Sequence, residues 1–114
     1  MKLLTKKIYE QLRKNDKLFI DNGDDLSNTK PVVKLFTSDA AATWLLVSID
    51  ENGIAFGLCD LGIGFPELGY VSLREIAEVR GKFGLGVERD LYFEPNKTLE
   101  EYTKIASLND RIIA

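Results

Sequence analysis

The chain has 114 residues, of which 45% are hydrophobic and 29% are charged, as in ordinary globular proteins. This size favours one domain over residues 1–114, and the composition excludes wholesale disorder. With no histidine and one cysteine, the chain lacks the groups for histidine-dependent nucleophiles and for almost every zinc site. A net charge of −3 also weighs against sequence-independent binding to a phosphate backbone, which requires a concentrated basic surface.

Compartment and cofactor content are constrained by the same features. The longest apolar runs are far shorter than the ~20 residues of a membrane span, and the N-terminus lacks the apolar region of a signal peptide. The lone Cys59 cannot form an intramolecular disulfide, fits a reducing compartment and is interpreted as a structural thiol. We therefore expect a cytoplasmic protein that does not bind membranes and carries no cofactor.

The first half of the chain predicts a helix and a β-hairpin. Thr5 is a suitable N-cap for a helix in which Ile8, Tyr9 and Leu12 share one face, and the polar segment 21–29 is typical of a flexible connection. Strand-like runs follow over 32–36, 43–49 and 54–60.

The dipeptide Asn52-Gly53 favours a type I′ turn between the last two runs. That turn would place Ile49 opposite Phe56 and Leu45 opposite Asp60.

The second half predicts a long loop, two helices and one strand. Three glycines and a proline over 61–70 indicate a loop, although its apolar residues are unusual for a freely exposed one. Ser72 and Glu75 form the pattern of a capping box for a short helix that ends at Gly81, with Leu73, Ile76 and Ala77 inward. A strand over 87–93 and a helix capped by Thr98 follow; Leu99, Tyr102 and Ala106 are its expected buried residues.

These elements predict an α+β fold in which a mostly antiparallel sheet of four to five strands packs against two to three helices. Strand alternation places two charged residues, Asp60 and Arg89, on apolar strand faces. We interpret them as a buried ion pair. The alternative is that one or both lie at strand ends and reach water.

The chain has no lysine or arginine between Lys34 and Arg74, whereas acidic residues lie throughout this stretch. An apolar loop beside acidic residues favours a protein-binding module, whose unidentified partner would be recognised through apolar contacts and charge complementarity. The candidate partner-binding residues are Trp44, Ile63, Phe65, Glu67, Glu88 and Asp90.

Two other functions remain open. A hydrolase or nuclease could hold Mg²⁺ or Mn²⁺ on carboxylates, with Arg89 binding a phosphate; its ligands would be Asp60, Glu67, Glu88 and Asp90. Binding of nucleic acid or a nucleotide, which is less favoured, would combine cations with aromatic stacking surfaces. Its candidate residues are Arg74, Arg80, Lys82, Arg89, Tyr70, Phe83 and Tyr92.

Four segments of the chain carry a family resemblance: Val-Lys-Leu-Phe-Thr at 33–37, Phe-Gly-Leu-Cys-Asp-Leu-Gly at 56–62, Pro-Glu-Leu-Gly-Tyr-Val-Ser-Leu at 66–73 and Val-Glu-Arg-Asp-Leu-Tyr-Phe at 87–93. Together they resemble the bacterial domain-of-unknown-function family 2958. The resemblance covers nearly the whole chain. It implies a small domain encoded on plasmids, integrative elements and phages, and it brings no established activity or catalytic residue.

Overall fold

The computed structural model describes residues 3–23 and 25–114. Five strands form one antiparallel sheet in the order β4-β3-β2-β1-β5. Within these described residues three helices accompany the sheet, which confirms the predicted α+β class. The elements are α1 Lys6–Asn22, a 3-10 turn Leu26–Asn28, β1 Val33–Thr37, β2 Thr43–Ile49, β3 Ile54–Asp60, β4 Glu67–Ser72, α2 Leu73–Glu78, β5 Val87–Arg89 and α3 Leu99–Asn109.

Both faces of the sheet are covered by apolar packing. On the face that we call the α1 face, Leu12 of α1 and Ile76 of α2 pack with strand residues such as Trp44. On the opposite face, the α3 face, Leu99 of α3 packs with residues such as Leu45. The central strand β2 is therefore buried along nearly its whole length, because its alternate side chains enter different cores.

The β2–β3 hairpin differs from the two-residue turn predicted for Asn52-Gly53. The Asp50 carboxylate accepts hydrogen bonds from the backbone N–H groups of Asn52 and Ile54, at 2.8 and 2.9 Å. Gly53 alone has a positive φ, 81°, whereas a type I′ turn requires a positive φ at Asn52 as well.

The resulting register was also predicted wrongly. Ile49 pairs with Ala55 rather than Phe56, and Leu45 pairs with Leu58 rather than Asp60. The register shifts once more between Leu46 and Ser48, where Asn15 of α1 donates a hydrogen bond to the Val47 carbonyl at 2.7 Å. A side chain from the helix thus satisfies a carbonyl at this irregularity of the ladder.

The second half of the chain corrects three predicted boundaries. Strand β4, residues 67–72, lies beside β3 and includes residues 67–70, which were predicted as part of a loop. Helix α2 ends at Glu78, before Gly81, and leaves Ala77 exposed. Strand β5 stops at Arg89, because the Asp90 carboxylate accepts a hydrogen bond from the Tyr92 N–H at 2.9 Å and turns the chain.

The outer helices follow their predicted caps. Thr5 accepts a hydrogen bond from the Ile8 N–H, and the reciprocal capping box of Thr98 and Glu101 begins α3. Tyr9 is 40% exposed, so the predicted apolar face of α1 includes Leu12 but not Tyr9. Helix α1 runs into the segment predicted as a flexible connection and ends at Asn22, with Gly23 as its C-cap. Asp24 of that segment lies outside the described residues. The predicted buried positions of α3 are confirmed.

Candidate functional site

One end of the sheet gathers three loops, and we call it the three-loop end. The register places the end of β1 beside the starts of β2 and β5, and the end of β3 beside the starts of β2 and β4. The connections at this end are therefore the β1–β2 turn (38–42), the β3–β4 loop (61–66) and the α2–β5 loop (79–86).

The β3–β4 loop is fixed at its start. The Asp60 carboxylate accepts a hydrogen bond from the Gly62 N–H at 2.8 Å. Gly62 has a φ of 82°, and a Cβ at this position would lie 2.7 Å from the Ala41 Cβ of the β1–β2 turn. A left-handed backbone conformation and a close contact both favour glycine here, so the loop is anchored on the turn.

Beyond that anchor the β3–β4 loop exposes apolar side chains. Ile63 is 68% exposed and Phe65 is 73% exposed. They border a groove of about 320 Å³ that opens beside β4. The groove is lined by Cys59, Leu61, Ile63, Phe65 and Glu67.

The α2–β5 loop is anchored on the same turn by Asp39. One carboxylate oxygen of Asp39, Oδ2, accepts hydrogen bonds from the backbone N–H groups of Phe83 and Leu85, at 2.8 and 3.3 Å. The other oxygen, Oδ1, lies against Gly81, where a Cβ would overlap it. The loop closes on itself through a 2.9 Å hydrogen bond from the Gly81 N–H to the Leu85 carbonyl. Its backbone is thus held by one side chain from the turn.

This second loop also exposes apolar side chains. Phe83 is 75% exposed, Leu85 is half exposed, and the Lys82 ammonium lies 5.2 Å from the centroid of the Phe83 ring. The buried Oδ1 atom of Asp39 has no hydrogen-bond partner among the described residues. The β1–β2 turn thus supports both the β3–β4 loop and the α2–β5 loop, and each of these loops exposes apolar side chains.

The structure brings some of the predicted partner-binding residues to this end. Ile63, Phe65 and Glu67 lie together at the β3–β4 loop, and Glu88 lines a separate groove with Leu85. The predicted contact residue Trp44 is 2% exposed and lies inside the core of the α1 face.

Asp90 lies away from the three-loop end. It follows the last residue of β5, and its carboxylate forms a 3.6 Å ion pair with Lys34.

The predicted ion pair between Asp60 and Arg89 is not formed. Asp60 lies on the α3 face, where its second oxygen accepts a hydrogen bond from the Ile112 N–H at 2.9 Å. Arg89 pairs with Leu35, which places it on the α1 face, and it donates to the Leu3 carbonyl at 2.8 Å. The sheet separates the two side chains, and strands β2 and β1 lie between β3 and β5.

The carboxylates of the hydrolase hypothesis do not converge. Asp60 and Glu67 lie on β3 and β4, whereas Glu88 and Asp90 lie at β5, the opposite edge of the sheet. Over residues 3–23 and 25–114, no group of three or more acidic, cysteine or histidine side chains could hold a metal ion. The described part of the chain therefore has no cluster of three such ligands for the Mg²⁺ or Mn²⁺ of that hypothesis.

The cations of the nucleic-acid hypothesis lie on several elements. Arg80 and Lys82 belong to the α2–β5 loop, and the Arg80 guanidinium donates to the carbonyls of Ala77 and Val79. Arg74 lies in the first turn of α2, and Arg89 is half-buried in β5.

Sequence reasoning missed Asp39 as an anchor and did not recognise Phe83 and Leu85 as partner-binding candidates. The glycines at 81, 84 and 86, which surround two apolar residues, could have indicated a structured loop at this position.

Cys59 has the environment of a structural thiol. It pairs with Trp44 across the sheet and is half-buried beneath the β3–β4 loop. Burial raises the pKa of Cys59 to about 11, so the reactive thiolate is scarce at neutral pH.

The fold and site together define an α+β protein whose antiparallel sheet is covered on both faces and bears exposed apolar loops at one end. The chain belongs to the family described as Protein of unknown function (DUF2958), whose model matches residues 3–113. No curated protein and no solved structure matches it. Among the helices of the described residues, none has the length and apolar character needed to cross a bilayer.

Proposed function

We propose that this chain is a cytoplasmic protein-binding accessory module of bacterial mobile elements, without catalytic activity, and that its partner docks on the three-loop end. The observation that carries the proposal is the support of two apolar loops by a single turn. Ala41 contacts one loop and Asp39 holds the other, so the exposed side chains project from anchored backbone.

Apolar contact supplies the binding energy in this proposal. Burying one large apolar side chain contributes about 1.5–3 kcal/mol, and Ile63, Phe65 and Phe83 are each more than half exposed. Anchored loops lose less conformational entropy on binding than mobile ones. Few such side chains, centrally placed, are sufficient to dominate an interface.

Charge defines the kind of partner. The loops at 38–42 and 61–66 contain no lysine or arginine, and Glu67 is exposed at the rim of the β3–β4 groove. A partner with an apolar patch beside a basic rim complements this side of the three-loop end. Charge pairs of this kind orient the partner and accelerate association, and both effects weaken as salt increases.

Site-specific photo-crosslinking in cells tests the proposal. A photoreactive phenylalanine analogue replaces Phe65 or Phe83, and the matched control carries it at Leu108, which is 86% exposed on α3. We expect the same discrete protein adduct from positions 65 and 83 and not from 108. Ile63→Asp, combined with the crosslinker at 83, should abolish that adduct.

Two results would contradict the proposal. One is the same set of adducts at all three positions, which would indicate random collision. The other is loss of the adduct after nuclease treatment, which would indicate a nucleic acid instead of a protein.

A further inference from the structure

A second surface, which adjoins the three-loop end at Glu67, lies along the outer edge of β4. Strand β4 is the terminal strand of the sheet and pairs with β3 on one side only. The Leu73 N–H donates to the Gly53 carbonyl, so the odd-numbered residues of β4 direct their backbone groups towards β3. The N–H and C=O groups of Leu68 and Tyr70 therefore point away from β3, sideways from the free edge of the sheet.

The side chains of these two residues add an apolar character to the edge. Leu68 and Tyr70 lie on the α3 face, and Tyr70 is 70% exposed. The Tyr70 ring contacts Phe56 with a centroid separation of 5.0 Å. An exposed strand edge with apolar side chains is a template for pairing with another strand.

The glycine between them is not required by the fold of one chain. Gly69 lies in the strand without a positive φ, and a Cβ built there meets nothing within 4 Å. Its pairing partner Gly57 differs, because a Cβ at Gly57 would overlap the Leu45 backbone. A glycine within a strand weakens it and often marks the close approach of another backbone.

We propose that β4 pairs antiparallel with β4 of a second copy of this chain, with the two-fold axis at Gly69. Leu68 of each copy then lies opposite Tyr70 of the other, and both pairs exchange their outward backbone hydrogen bonds. The same patch serves both copies, as two-fold symmetry requires. The two sheets join into one of ten strands.

The ends of the paired region fit this register. Pro66 has no N–H to donate, so pairing ends just before Glu67 in each copy. Antiparallel pairing brings the start of one β4, which carries the exposed Glu67, towards the end of the other, which leads into the exposed Arg74. In this register Glu67 lies opposite Val71 of the other copy, and Arg74 follows three residues later, so opposite charges occur near both ends of the paired strands.

A charge exchange at the symmetry axis tests the register. In a single chain, Gly69→Lys or Gly69→Glu places the new side chain in open space. In a homodimer of either variant, two like charges face each other at the symmetry axis. Sedimentation equilibrium from about 10 µM to about 1 mM should show a weak wild-type dimer, as a short interface implies. Each variant alone should raise the dissociation constant about tenfold. An equimolar mixture should regain dimer, and native mass spectrometry should show the heterodimer in excess of its statistical half.

Controls separate this surface from the three-loop end. Leu108→Lys adds the same charge on exposed α3, and Phe83→Asp alters the α2–β5 loop; both should keep the wild-type dissociation constant. Circular dichroism establishes that every variant is folded. Wild-type protein that sediments as a monomer throughout the range overturns the proposal, as do Gly69 variants that dimerise as tightly as wild type.

Discussion

Backbone amides, rather than cations, donate hydrogen bonds to carboxylates of the stretch that lacks lysine and arginine. Asp60 accepts from Gly62 and Ile112, and Asp39 accepts from Phe83 and Leu85. Strand alternation identified Asp60 as a buried acid that needs a partner, but it offered only side chains as partners. Hydrogen bonds to backbone N–H groups depend on loop paths, which a strand pattern does not contain.

Asp60→Ala should therefore destabilise the protein by about 3 kcal/mol, because two backbone N–H groups lose a charged acceptor. Urea unfolding measures this loss. Arg89→Met should not rescue it, and the double variant should show additive losses within about 0.5 kcal/mol. A double variant more stable than Asp60→Ala alone would instead support the interpretation that Asp60 and Arg89 form an ion pair.

Cys59 provides a pH-dependent test of burial, also at the scale of a single residue. With its pKa raised to about 11 by burial, the thiolate fraction near pH 8 should be about 100-fold below that of the unfolded chain. Alkylation by iodoacetamide, followed by mass spectrometry with and without denaturant, should show this ratio. Because the folded pKa is the higher one, the stability penalty should grow as pH rises from about 9 to about 11. Equal alkylation rates with and without denaturant would contradict burial of the Cys59 thiol.

At the scale of elements, the sequence predicted helices better than strand edges. Caps at Thr5 and Thr98 are local signals, and the helices that they predict are present. The hairpin register failed because the Asp50 side chain competes with the turn preferred by Asn52-Gly53. Strand β4 was missed because Pro66 and Gly69 read as loop residues, although an edge strand tolerates both.

The paired glycines Gly57 and Gly69 make a matched comparison within the sheet. Gly57→Ala should destabilise by at least about 2 kcal/mol, because its Cβ would overlap the Leu45 carbonyl oxygen and the backbone must shift. Gly69→Ala should be neutral or slightly stabilising, since its Cβ enters open space and the unfolded chain loses freedom. Thermal unfolding of dilute protein compares the two. Equal losses of stability in the two variants would show that the close approach of Gly57 to the Leu45 backbone does not determine the cost of an added Cβ.

At the scale of the whole molecule, acidic groups are distributed around the sheet and do not converge. The pattern of predicted helices and strands gave the α+β class. It could not decide whether four carboxylates from separate elements would meet, because that depends on strand order. The order β4-β3-β2-β1-β5 places them at opposite edges. The candidate surface was predicted only in part: Ile63, Phe65 and Glu67 were identified from composition, whereas the α2–β5 loop depends on tertiary contacts with Asp39.

Divalent cations should consequently leave stability unchanged. Thermal unfolding with EDTA and then with millimolar Mg²⁺, Mn²⁺ or Ca²⁺ should give the same midpoint, since a ligand at 100 times its dissociation constant would add about 2.7 kcal/mol. A shift of several degrees would contradict this expectation. Loss of that shift in Glu67→Gln but not in Glu88→Gln would assign the ion to the β3–β4 side.

The β1–β2 turn has an evolutionary consequence. Ile63, Phe65 and Phe83 contribute little to either core, so substitution at these positions can alter recognition at small cost to stability. Ala41 and Asp39 are constrained differently, because each supports the backbone of a neighbouring loop. Family members are therefore expected to diversify at the loop tips while they retain the small and acidic residues of the turn beneath them.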